Sequence, residues 1–196
     1  MAVAPNRDEE LAIFVEHMMD FMNMWTIYND FLTGKYVPTV DAGVDRTKMH
    51  ATLMFAVYSY FYVLIDDHKK GLDAFHIWRD HFPKEEKAIA AIEAQIKPLR
   101  KDLKEFRNRL GFHGSRSRAH EAAGFDLFAN ADGGSVWNAI KNFKAMGASL
   151  LALDMAQKNS DEAEIKRYQG WIDKIAERAR QQASGSTSPP TLSTNP

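Results

Sequence analysis

Apolar positions along the chain recur three and four residues apart, the period of helices that turn one face inward, and no segment alternates as a strand does. The first such segment opens at Asn6, where Asn6-x-x-Glu9 has the form of a capping box, and runs to about Leu32 before Thr33-Gly34. Leu11, Phe14, Val15, Met18, Met22, Trp25, Tyr28 and Leu32 form its predicted inner stripe, and Ile13, Phe21 and Ile27 widen it. A loop from Lys35 leads to a second helix over about Asp45 to Asp66, whose run from Met49 to Ile65 contains no Asp, Glu, Lys or Arg. That run only reaches the short limit of a membrane span, ~17 residues. Tyr58, Tyr60 and Tyr62 occupy its middle and C-terminal half, where a membrane helix keeps its aromatics at the edges, so a buried central helix is predicted.

Gly71 to Arg79 reads as a short helix that Phe82-Pro83 interrupts. A third long helix follows from about Lys84 to Leu110, with Pro98 kinking or breaking it and Gly111 as a left-handed cap. Residues 114–134 form a polar, glycine-containing connection carrying Phe125, Leu127 and Phe128. The fourth helix spans Ser135 to about Gln157, with Val136, Ile140, Phe143, Leu150 and Leu153 inward. Asp161-x-x-Glu164 caps a fifth that carries Ile165, Tyr168, Trp171, Ile172 and Ile175. Trp137 and Trp171 are read as core anchors, and the cluster Met18-Met19-x-x-Met22-x-Met24 as adaptable core. From Ala183 the chain is rich in Ser, Thr, Pro and Gly and is predicted disordered. The expected architecture is an all-α helical bundle of four to five main helices, one domain over residues 1–182, with a tail over 183–196.

Composition narrows the chemistry. A hydrophobic fraction of 45% and an aromatic fraction of 11% in 196 residues suffice for a packed core. Cysteine is absent, which removes disulfides, thiolate metal sites and cysteine nucleophiles. No basic segment leads into an apolar run at the start, so no signal peptide is predicted and a cytoplasmic location is expected. The net charge of −1 hides an asymmetry. Between Lys97 and Arg118 eight Lys and Arg face only Asp102 and Glu105, a local +6 that leaves −7 for the rest of the chain. An acidic body with one basic stripe points to a localised anion site, or to a solvated helix face.

Within that stripe, Leu99, Leu103, Phe106 and Leu110 share the inward side of the helix, and Arg107 lies on its border. A border arginine can pack its stem while its guanidinium reaches a cleft. Arg107 and His113 are six residues apart, ~9 Å of rise on a continuous helix, too far for both to grip one phosphate. A turn at Gly111 lets His113 fold back or meet the site of a second protomer. Arg107-Asn108, four residues and then His113 resembles the Arg-polar-x-His signature of HEPN (higher eukaryotes and prokaryotes nucleotide-binding) domains. One departure is Phe112, where many members carry a small residue. The resemblance implies a helical metal-independent ribonuclease that pairs its motifs across a homodimer and uses no cofactor. It also implies a defence or toxin–antitoxin setting with an antitoxin-like protein partner.

The residue types suit RNA cleavage. Histidine takes or gives a proton near neutral pH, and arginine clamps phosphate oxygens as charge builds on phosphorus. The resemblance makes Arg107 and His113 the catalytic pair with Asn108 beside them, and 2′,3′-cyclic phosphate ends the product. Arg100, Lys104, Arg109, Arg116 and Arg118 are the expected contacts to the RNA backbone. The alternative is a non-catalytic helical binding or scaffold protein, in which Arg107 makes an interhelical ion pair and His113 caps its helix. A di-iron bundle needs Glu-x-x-His pairs, and the sequence has none. His17 with Asp20, and His76 with Asp80 and His81, have metal-compatible spacings but read as surface groups. Phosphate-binding and nucleophile-elbow glycine motifs are absent.

Overall fold

The computed structural model describes residues 7–35, 46–68, 71–110 and 133–185; side chains are not described at 46–48, 106–110, 133–134 and 185. Those residues are all-α, and no strand occurs among them. They group into two compact units. The first holds α1 (Arg7–Leu32), α2 (Arg46–Ile65), nearly all of α3 (Ala74–His81) and α5 (Arg100–Leu110). The second holds α4 (Glu86–Ile96), α6 (Gly133–Lys158) and α7 (Glu162–Gly185).

The predicted third helix is two helices. A 3-10 turn over Lys97–Leu99 ends α4 and precedes α5, and Pro98 sits at its centre. Proline has no N–H to give the preceding turn and its ring crowds that turn's carbonyl, so the α-helical ladder stops there. The break falls where the chain passes from the second unit back to the first.

In the first unit α1 packs on α2, and α2 on α5. The buried stripe of α1 is Phe14, Met18, Phe21, Trp25, Tyr28 and Phe31. It is rotated from the predicted one: Phe31 is inside and Leu32 outside, and Ile13 and Ile27 are exposed. The reason lies in aromatic content, because three phenylalanines, a tryptophan and a tyrosine on one line bury more surface than the aliphatic line beside it. Phe14 and Phe75 each meet Trp78 edge-on at centroid distances of 5.9 and 5.6 Å, and Phe21 lies 5.8 Å from Phe61. Tyr28 Oη is 3.0 Å from His50 Nε2 between α1 and α2, and burial pushes the Tyr28 and Tyr58 phenols upward in pKa. A raised pKa keeps both phenols protonated and uncharged. No helix among the described residues is long and apolar enough to cross a membrane.

The link from α2 to α3 is tight. Tyr62 Oη and the His68 amide both donate to Asp66 Oδ1, at 3.3 and 3.2 Å, and the Asp73 amide donates to the Asp66 carbonyl. Asp73 adopts a left-handed φ of 36°, and its own carbonyl accepts from His76 and Ile77 at the start of α3.

In the second unit α7 packs on both α6 and α4. Ile89, Ile92 and Ile96 of α4 are buried, as are Ile140, Phe143, Met146, Leu150 and Leu153 of α6, and Ile172 and Ile175 of α7. Ala139, Ala176 and Ala179 are buried too, and small side chains bring helix axes close. An amide ring sits within this apolar set. Asn142 Nδ2 donates to Gln95 Oε1 at 3.0 Å and to Gln182 Oε1 at 2.8 Å, and Gln95 Nε2 donates to Gln182 Oε1 at 3.0 Å. Asp161 Oδ1 accepts from the Glu164 amide at 3.0 Å, the predicted cap of α7. That helix continues to Gly185, so residues 183–185 of the predicted tail are helical and 186–196 lie outside the described residues. Trp171 is not a core anchor but is 47% exposed, and Trp137 is half-buried.

Candidate functional site

The basic segment forms α5, and its buried Leu103 anchors it in the first unit. Its i, i+3, i+7 geometry sets the backbones of Arg100, Leu103 and Arg107 along one side of the helix. Arg100 and Arg107 are two turns apart, ~10.5 Å of rise. Arg107, Asn108 and Arg109 are helical at the backbone, and their side chains are outside the described set. His113, Arg116 and Arg118, with Gly111 and Phe112, lie outside the described residues altogether.

Two of the predicted RNA contacts have described side chains, and the fold separates their roles. Lys104 is exposed, as is its neighbour Lys101. Arg100 is turned to the protein: Nη1 lies 2.5 Å from Asp67 Oδ2, Nη2 is 3.9 Å from Asp73 Oδ1, and the guanidinium sits 5.5 Å from the Phe75 ring centroid. Its side chain is 18% exposed. The first contact is a charge-assisted hydrogen bond, and the second is too long for one and acts through charge alone. Arg100 thereby ties the start of α5 to the α2–α3 link. Sequence reasoning missed this role because Asp67 and Arg100 are 33 residues apart. The available signal was the run of acids at Asp66, Asp67 and Asp73 beside an otherwise apolar pair of helices.

The other titratable clusters are modest. His76 Nε2 and Asp80 Oδ2 are 3.6 Å apart one turn along α3, both exposed. No group of three or more His, Asp or Glu side chains able to hold a metal ion occurs among the described residues. Glu85 is buried at the start of α4 and accepts a hydrogen bond from Gln169. Burial first, and then the nearby Asp173, raise its pKa above the usual carboxylate value, while Gln169 and Lys84 oppose the shift.

Fold and site together define an all-α protein with a basic helix pinned at its start and exposed lysines along its middle. Against known proteins, no family model, no curated protein and no solved structure matches the chain.

Proposed function

We propose that the chain is a metal-independent RNA endonuclease of HEPN type that works as a homodimer in the cytoplasm. The observation that supports this most is the placement of Arg107-Asn108 in the last described turn of α5, a helix held by Leu103 and Arg100. A fixed helix gives the arginine a defined position, which transition-state stabilisation requires. His113 takes the proton from the RNA 2′-hydroxyl, and the 2′-oxygen attacks phosphorus. Arg107 neutralises the pentacoordinate phosphorane with Asn108 beside it. The 5′-oxygen then leaves with a proton from an imidazolium, which yields a 2′,3′-cyclic phosphate and a 5′-hydroxyl. Lys104, Arg109, Arg116 and Arg118 hold the backbone of the strand, and an antitoxin-like protein restrains the activity.

A second reading has its own support. The engagement of Arg100 by Asp67, Asp73 and Phe75 is what a helical binding or scaffold protein without chemistry also shows. Incubation of the purified chain with mixed RNA in EDTA separates the two. The nuclease reading expects cleavage that Arg107→Ala and His113→Ala abolish. Intact RNA with the unmodified chain, or equal cleavage by the variants, leaves the binding reading.

A further inference from the structure

The surface of α7 carries a feature that the α5 motif does not use. Arg167, Trp171, Lys174 and Arg178 stand at i, i+4, i+7 and i+11, one line along the helix, and all four are exposed. Trp171 is 47% exposed although its neighbours in sequence, Ile172 and Ile175, are buried. The Arg167 guanidinium lies 5.4 Å from the Trp171 ring and 4.9 Å from the Tyr168 ring, and Nη2 donates to Tyr168 Oη at 2.9 Å. Tyr168 meets Trp171 edge-on at 5.4 Å. The aromatic and cationic groups are thus arranged before any ligand arrives.

Three of the four acids of the helix have an identified counterpart or neighbour, and the fourth, Glu162, lies in its first turn. Glu164 pairs with Arg167, Glu177 pairs with Arg180, and Asp173 acts on Glu85. Among the described residues neither Lys174 nor Arg178 is matched to an acid. Two features of this face work against the helix itself. Lys174 and Arg178 are like charges one turn apart, which is unfavourable in an isolated helix. Gly170 lies in the helix interior, where a glycine weakens it, yet a Cβ there would meet nothing within 4 Å. No packing requirement explains that glycine. It leaves bare backbone between Arg167 and Lys174 on the line that carries Trp171.

We infer that this face of α7 binds single-stranded nucleic acid, with a base stacking on Trp171 over the Gly170 notch and phosphates on Lys174 and Arg178. An exposed aromatic flanked by cations at one-to-two-turn intervals is the combination that single strands use, because every base has a π-face and every nucleotide a phosphate. The stripe spans ~16 Å of rise, enough for several nucleotides. An acidic partner helix fits less well, since such a helix needs apolar anchors at successive turns and Trp171 is the one large apolar side chain on this line. The inference does not rest on the nuclease reading.

The test is fluorescence anisotropy with a labelled oligouridine of about 15 nucleotides, within the usual site size of such surfaces. The full-length chain is used in an Arg107→Ala/His113→Ala background, so the probe survives whether or not the chain cleaves RNA. Trp171→Ala is expected to weaken binding about 10-fold, and Trp171→Phe to restore most of it. Lys174→Ala/Arg178→Ala is expected to lower the slope of log affinity against log salt by about 1.4, two phosphates at about 0.7 each. Exposed positions make these variants foldable, which circular dichroism checks. No binding by the parent, or parent-like binding by Trp171→Ala, overturns the inference. Loss of binding by Trp171→Ala with an unmodified chain that never cleaves RNA sinks the nuclease reading alone.

Discussion

Asn142 is the place where a single atom-level change has the most readable consequence. The residue is 1% exposed, and both of its amide hydrogens are committed, to Gln95 Oε1 and Gln182 Oε1. Asn142→Ala removes both donors. Gln182 Oε1 keeps the Gln95 Nε2 bond, but the carbonyl of Gln95, itself 8% exposed, loses the donor that Asn142 supplies. A buried acceptor stripped of its partner costs about 1–3 kcal/mol, and the small void left by the carboxamide adds to it. The expected loss is about 2–4 kcal/mol, which for a chain of this size lowers the melting temperature by about 5–15 °C. Asn142→Asp tests the same contacts with a sign. A carboxylate there would face two carbonyl oxygens in a dry site, so its folded pKa is raised. Stability is then present below the unfolded carboxylate value and is lost as pH rises through the folded one. Urea titrations followed by far-UV circular dichroism at acid and neutral pH give both numbers. The triple variant Gln95→Met/Asn142→Leu/Gln182→Met removes donors and acceptors together and is expected to recover most of the stability. An Asn142→Ala variant within about 0.5 kcal/mol of the parent would falsify the claim that the ring is a closed, buried hydrogen-bond set.

Arg100→Met keeps an apolar stem against Phe75 and deletes the ion pairs, and is expected to lower stability by about 1–2 kcal/mol with RNA affinity unchanged; a drop in affinity at unchanged stability makes Arg100 an RNA contact instead. Glu85 has a raised folded pKa, so its contribution is present in acid and is lost as pH rises through that value. Glu85→Gln is therefore expected to be more stable than the parent at neutral pH and to lose that advantage in acid, read from melting curves across pH. Gly71→Ala drives a Cβ into the Asp66 carbonyl and is expected to cost more than about 1 kcal/mol in chemical denaturation, because the blocking atom is backbone.

Helix positions were legible because their signals are local. Pro98 marks its break, and Asp161 its cap. The inward line of α1 was less legible, since Phe31 and Leu32 are both apolar and what separates them is the aromatic ring that Phe31 adds to the buried line. Contacts between distant segments left no local trace. Asn142 meets residues 47 and 40 positions away, and Arg100 one 33 away, and nothing in the spacing of amides or acids points to those pairings. The expected catalytic set, Arg107, Asn108 and His113, was named by a short motif, and its His113 lies outside the described residues, as do the expected RNA contacts Arg116 and Arg118. Trp171 was misread because a large aromatic at helical spacing beside Ile172 and Ile175 has the sequence pattern of core, and what marks it as surface is the basic line on which it sits.

That misreading shows where charge counting fails. Residues 97–118 stand out because their excess is +6, yet Arg100 spends its charge on Asp67 and Asp73 inside the first unit. The segment α7 looks unremarkable by the same count, with five Lys and Arg against four Asp and Glu. A count along the chain sums over all sides of a helix, whereas a ligand meets one side. Resolved by the helical period, Glu164 and Glu177 pair with Arg167 and Arg180, Glu162 stays in the first turn, and the line through Trp171 keeps Lys174 and Arg178. On the two proposals, each unit offers a nucleic-acid strand something different. In these proposals α5 carries Arg107 and Asn108 for chemistry and holds Arg100 back for the fold, while α7 carries a stacking surface and no histidine. Binding that survives loss of Arg107 and His113 but not of Trp171 is the behaviour this division of labour requires.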